Sequence, residues 1–128
     1  MKPGLELNKV VLLGRTFEEY VRYFGLSDAD LRGKKILDVA SGVSSFTAEA
    51  TERGYDVTAF DMIYQFAADD IRAKCEPDLD YVTNEIGKVK AYKWDFYKNP
   101  EGMRVYRERA YKRFLEDFQQ YRGTRYVY

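Results

Sequence analysis

The stretch from Lys35 to Asp61 limits what this chain can fold into more than any other. Lys35-Ile36-Leu37-Asp38-Val39-Ala40 is short, apolar and bounded by turn residues, the pattern of a buried strand. Ser41-Gly42-Val43-Ser44-Ser45 is a turn of small residues. A helix is predicted from Ser45 through Arg53, with Phe46 and Ala50 on one face and Gly54 closing it. Tyr55-Asp56-Val57-Thr58-Ala59-Phe60 is rich in β-formers and predicts a second strand ending at Asp61. Strand, small turn, helix, glycine and strand in that order make a βαβ unit. Its two strands run parallel and its crossover is right-handed.

The flanks are helical. Thr16-Phe17-Glu18-Glu19 is a capping box opening a helix that runs to Phe24 and stops at Gly25. Ser27-Asp28-Ala29-Asp30 starts one more short turn, ending at Gly33. Beyond Asp61 three stripes recur at helical spacing. Ile63, Ala67, Ile71 and Cys75 form the first, which Pro77 is expected to end. Val82, Ile86, Val89, Lys93 and Phe96 form the second, broken by Gly87 and ended by Asn99-Pro100. The third and cleanest is Met103, Tyr106, Ala110, Phe114, Phe118 and Tyr121. After Gly123, Arg125-Tyr126-Val127-Tyr128 turns β-like, as the start of a third strand.

Composition excludes several chemistries. The chain's 128 residues contain no histidine and 1 cysteine, Cys75. An intrachain disulfide, a histidine base and a cysteine–histidine zinc site are therefore out of reach, and a reducing, cytoplasmic setting is expected. No apolar run approaches the ~20 residues of a membrane span, and the N-terminus lacks a signal-peptide core. Basic and acidic residues balance at 21 each. The cluster Arg104, Arg107, Arg109, Lys112 and Arg113 suits the solvated face of an amphipathic helix better than a nucleic-acid contact. Cys75 lies on an apolar stripe and is expected to be a core thiol.

The candidate site follows from where a parallel sheet binds ligands, at the carboxyl ends of its strands. That end holds Asp38, Ala40, Ser41, Gly42 and Ser44, with Asp61 from the second strand. Asp61 lies 19 residues after Gly42, a spacing at which an acid can accept both hydroxyls of a ribose; a simple cap of the next helix is the lesser reading of the same position. The slots of a dinucleotide fingerprint read Ala40, Gly42 and Ser45, so only the middle glycine is present. Asp38 would repel a pyrophosphate and suit an ammonium or sulfonium group, which favours S-adenosylmethionine over NAD.

The run Lys35-Ile36-Leu37-Asp38-Val39-Ala40-Ser41-Gly42-Val43-Ser44, followed by Val57-Thr58-Ala59-Phe60-Asp61, resembles the first two motifs of the class I S-adenosylmethionine-dependent methyltransferases. The resemblance covers roughly residues 16–66. It implies a Rossmann-like α/β fold in which the turn around Gly42 lies under the methionine part of the cofactor. By the same resemblance Asp61 binds the ribose, and Met62 and Ile63 pack on the adenine. Ala40 stands where the family has its first glycine. The family domain has seven strands and this chain has room for about three, so the resemblance implies an incomplete domain. Its expected layout is a helical lead over 1–33, a cofactor-binding βαβ over 34–62, a helical segment over 63–123 and the start of a third strand over 124–128. The methyl acceptor is unspecified, no general base is evident, and the chain alone is expected not to transfer methyl groups.

Two alternatives stand beside this reading: a non-catalytic Rossmann-like interaction module, and a dinucleotide-binding fragment. The aromatic stripe and the open strand edges together predict a homodimer through 103–128.

Overall fold

The computed structural model describes residues 5–89 and 94–128. A three-stranded sheet organises them: β1 Lys35–Val39, β2 Asp56–Phe60 and β3 Tyr126–Val127. β2 is central and both pairings are parallel, with Asp38 opposite Ala59 and Ala59 opposite Tyr126. Five helices accompany it among the described residues: α1 Phe17–Phe24, α2 Asp28–Leu31, α3 Phe46–Glu52, α4 Ala68–Ile86 and α5 Pro100–Tyr121. The arrangement is mixed α/β, consistent with a Rossmann-like unit.

Local chemistry accounts for the expected boundaries. The Thr16 hydroxyl accepts from the Glu19 amide, the Glu19 carboxylate accepts from the Thr16 amide, and Gly25 ends α1 in the left-handed region at φ 61°. The α1 face carrying Phe17 and Tyr20 packs on α3. The Tyr20 ring stacks on Phe46 at 4.4 Å and Phe17 stacks on it at 5.5 Å. Leu31, Phe46, Ala50 and Val57 form a small core there. The larger core joins Val43, Ala59, Ile63, Tyr64, Ile71, Cys75, Phe114, Phe118 and Tyr126.

Pro77 does not end its helix; α4 runs through it to Ile86. Proline removes the bond to the Ala73 carbonyl and crowds it, but both Pro77 and Ala73 lie on the exposed side of the helix. Ile71, Cys75 and Leu79 meanwhile stay buried along the side that meets α5. The second stripe divides. Val82 and Ile86 belong to α4, residues 90–93 lie outside the described residues, and 95–97 form a turn. Asn99-Pro100 begins α5 instead of only ending what precedes it. The Asn99 side chain accepts from the Gly102 amide at 2.7 Å, and Pro100 takes the first helical position.

Most of the third stripe is internal: Met103, Ala110, Phe114 and Phe118 are buried, while Tyr106 and Tyr121 are half-buried. Phe114, Phe118 and Tyr126 are each 0% exposed, their rings packing around Tyr64 at centroid distances of 5.4–5.7 Å. The stripe is one of two grounds for expecting a homodimer through 103–128, and most of it is taken up inside the chain; the open strand edges, the other ground, remain among the described residues. The basic cluster on α5 is mostly paired: Arg104 with Asp80, Arg107 with Glu19, Lys112 with Glu108 and Arg113 with Glu52. Arg109 lies over the Tyr106 ring. No helix among the described residues is long and apolar enough to cross a membrane.

Candidate functional site

The turn after β1 is shaped by two left-handed residues, Ala40 and Gly42, both at φ 57°. Glycine adopts this region freely; alanine is strained there. Asp61 braces the turn. One of its carboxylate oxygens accepts from the Gly42 amide at 2.8 Å and the other from the Ile63 amide at 3.0 Å. It is thus both the turn tie and the cap of the short 3-10 turn Met62–Gln65. Each oxygen keeps a second lone pair free. The Tyr64 hydroxyl donates to the Gly42 carbonyl at 2.8 Å.

The end of the N-terminal lead crosses over this turn. Gly14 approaches so closely that a Cβ there would sit 2.3 Å from the Val43 carbonyl oxygen. The Ser45 amide donates to the Arg15 carbonyl at 3.0 Å, and the Arg15 amide donates to the Ser44 hydroxyl at 2.8 Å. Nearer the N-terminus, the Leu12 amide donates to the Asp78 carboxylate at 2.7 Å. The part of the lead that precedes α1 is therefore fastened both to the turn before α3 and to α4.

Between the lead, α1 and the end of β1 lies a cleft of about 320 Å³. Its wall includes Leu13, Tyr20, Asp38, Ser41, Ser44 and Arg107, with Arg15 and Phe24 at the same opening. Asp38 is buried and accepts from the Ser41 hydroxyl at 2.8 Å and the Tyr20 hydroxyl at 3.1 Å. Burial raises its pKa above the ordinary 3.8, the Asp61 charge adds to the rise, and the two hydroxyls work against it. Burial likewise raises the Tyr20 hydroxyl, which therefore stays a donor. Among the described residues Asp38 makes no ion pair.

Two guanidinium groups reach the cleft. Arg107 is engaged: it donates to Glu19 at 2.5 Å, to the Tyr97 hydroxyl at 3.0 Å and to the Gly14 carbonyl at 3.3 Å. Arg15 is freer. It stands 3.6 Å from Glu19, lies over the Tyr23 ring and keeps 47% of its side chain exposed.

Of the expected site residues, Asp38, Ala40, Ser41 and Ser44 line one cleft. Gly42 and Asp61 meet each other just beside it. Met62 is exposed, but Ile63 is buried in the larger core at 3% exposure, so its side chain does not face a ligand. Leu13, Arg15, Tyr20 and Arg107 enter the site without having been singled out for it. Only Tyr20 had a usable signal, lying one turn along α1 from the capping box.

A three-stranded parallel α/β unit with a cleft at a strand end, walled by Asp38 and two arginines, is the class that fold and site define. The sequence is 46% identical over 126 residues to an uncharacterized protein of Methanocaldococcus jannaschii, a match taking in 97% of this chain and 56% of that protein. The chain thus spans little more than half the length of that relative. No family model matches the sequence, and no solved structure matches it.

Proposed function

We propose that this chain is the S-adenosylmethionine-binding portion of a methyltransferase. The observation that carries the reading is the strand-end cleft, where Asp38, a buried carboxylate with no ion pair among the described residues, shares the wall with guanidinium groups. That donor set fits a zwitterionic amino acid: the ammonium group goes to Asp38 and the carboxylate to the half-exposed Arg15. Asp61, with its spare lone pairs beside the Gly42 turn, suits two ribose hydroxyls. Exposed Met62 is left to pack on a base. Bound there, S-adenosylmethionine supplies an electrophilic methyl group. This chain's own residues hold and orient it, and the lead keeps water from one side.

A dinucleotide fits less well. Its pyrophosphate belongs on the first amides of the helix after β1. Here the Ser45 amide is already taken by the Arg15 carbonyl, and Asp38 is near.

Calorimetric titration tests the reading. S-adenosylhomocysteine is expected to bind and NAD not to. Asp38→Asn and Arg15→Gln should each weaken S-adenosylhomocysteine while leaving adenosine affinity nearly intact. Asp61→Ala should weaken both by about 1.5–3 kcal/mol, the scale of charge-assisted hydrogen bonds. Absence of S-adenosylhomocysteine binding, or equal losses for both ligands with Asp38→Asn, sinks the proposal.

A further inference from the structure

Hydroxyl groups, not cations, surround the Asp38 carboxylate. The Tyr20 hydroxyl lies 3.1 Å from each of its oxygens, and the Ser41 hydroxyl donates to Oδ2 at 2.8 Å. Among the described residues Oδ1 therefore meets the Tyr20 hydroxyl alone. The Tyr20 ring is clamped: it stacks on Phe46 at 4.4 Å and meets Phe24 edge-on at 5.5 Å. Its hydroxyl is thus a fixed point to which the carboxylate turns. The Ser44 hydroxyl faces the same phenol oxygen and accepts from the Arg15 amide at 2.8 Å. A line of hydrogen-bonding groups runs from the Arg15 backbone through Ser44 and Tyr20 to Asp38, and each group in such a line restricts its neighbours.

We propose that Tyr20 is the positioning residue of this cleft: its hydroxyl turns the Asp38 carboxylate so that Oδ1 is left for a ligand's ammonium group, and through Ser44 it sets where Asp38 stands relative to Arg15. Partners fixed in advance select a ligand whose ammonium and carboxylate share one carbon. That selection rests on the S-adenosylmethionine reading; the hold on Asp38 does not.

The other groups around Asp38 cannot take this part. The Asp61 charge, at the end of β2, opposes ionisation of Asp38. The Tyr64 hydroxyl is spent on the Gly42 carbonyl, and burial keeps it protonated. Arg107 is bound to Glu19, and Arg15 lies over Tyr23. Ser41 and Tyr20 are the groups that favour the charged carboxylate, and of the two only Tyr20 reaches it from a separate element. Because a donor favours the charged form, removing one moves the carboxyl's titration to higher pH.

The test is a carbon NMR titration of the carboxyl-labelled chain without ligand, beside calorimetry. Tyr20→Phe keeps the clamped ring and removes the hydroxyl. The Asp38 midpoint should move to higher pH. It should not move in Tyr23→Phe, which removes the neighbouring hydroxyl bonded to Tyr97. S-adenosylhomocysteine should bind Tyr20→Phe about tenfold more weakly, the scale of one hydrogen bond to a charged group, and adenosine nearly as before. In the unaltered chain the Tyr20 Cζ resonance should titrate with the Asp38 midpoint, a measurement that needs no variant to fold. An Asp38 midpoint unmoved by Tyr20→Phe, a Cζ resonance blind to that midpoint, or equal losses for S-adenosylhomocysteine and adenosine overturns the proposal. If S-adenosylhomocysteine does not bind the unaltered chain, the methyltransferase reading and the ligand selection fall together, and the two NMR measurements still decide the hold of Tyr20 on Asp38.

Discussion

Replacing Arg107 with methionine should cost this protein about 3 kcal/mol, the lower end of what deleting one partner of a buried ion pair costs. Glu19 is 0% exposed, and its carboxylate is held by the Thr16 amide at 3.0 Å, the Tyr97 hydroxyl and Arg107. The methionine side chain keeps the aliphatic length and removes the cation together with three hydrogen bonds: to Glu19, to Tyr97 and to the Gly14 carbonyl. Breaking a buried pair by deleting one partner costs about 3–5 kcal/mol. Arg15, 3.6 Å from the same carboxylate and half-exposed, offsets part of this, which sets the expectation at the lower end. That is a large share of the roughly 5–15 kcal/mol that holds a domain folded. Urea unfolding followed by circular dichroism reads the change as a lower midpoint at unchanged slope. The double variant Glu19→Gln, Arg107→Met should recover much of the loss. The glutamine keeps the oxygen facing Thr16 and turns its amide to the Tyr97 oxygen, so no charge stays buried alone. A loss below about 1 kcal/mol for Arg107→Met, or no recovery in the double variant, refutes the reasoning.

Ala40→Gly should stabilise the fold by about 0.5–1 kcal/mol. Relief of a left-handed alanine, worth about 1–2 kcal/mol, exceeds the extra chain entropy of glycine; a lower urea midpoint contradicts that. Because burial raises the Asp38 carboxyl above 3.8, protonation removes its hold on an ammonium group at a higher pH than an ordinary aspartate allows. Affinity for S-adenosylhomocysteine should therefore be full at neutral pH and fall early on acidification, and Asp38→Asn should flatten the calorimetric profile. Cys75 is 1% exposed, and burial pushes its thiol up to about 12. It should ignore a chromogenic disulfide reagent at neutral pH until denaturant is added, and prompt reaction in the native state means that α4 opens.

The local elements were legible because their signals are local. Thr16 and Glu19 cap across three residues, Gly25 ends the same helix, and the apolar runs at 35–40 and 55–60 lie between turn residues. A βαβ unit follows from that order alone, since parallel pairing requires the crossover. Asp38, Gly42 and Asp61 were placed by the same logic, as groups at adjacent strand ends. Tertiary packing decided the rest. Pro77 breaks a helix by local rule, yet α4 continues because Ile71, Cys75 and Leu79 are held along α5. Ile63 and Met62 are neighbours of similar polarity, and only the way the chain turns over the core buries one and exposes the other. Glu19 and Arg107 stand 88 residues apart. Sequence treats one as a cap and the other as part of a solvated basic face. The fold brings them together beside the cleft, where the fully buried Glu19 carboxylate gains a cation from α5 that no local signal pairs with it.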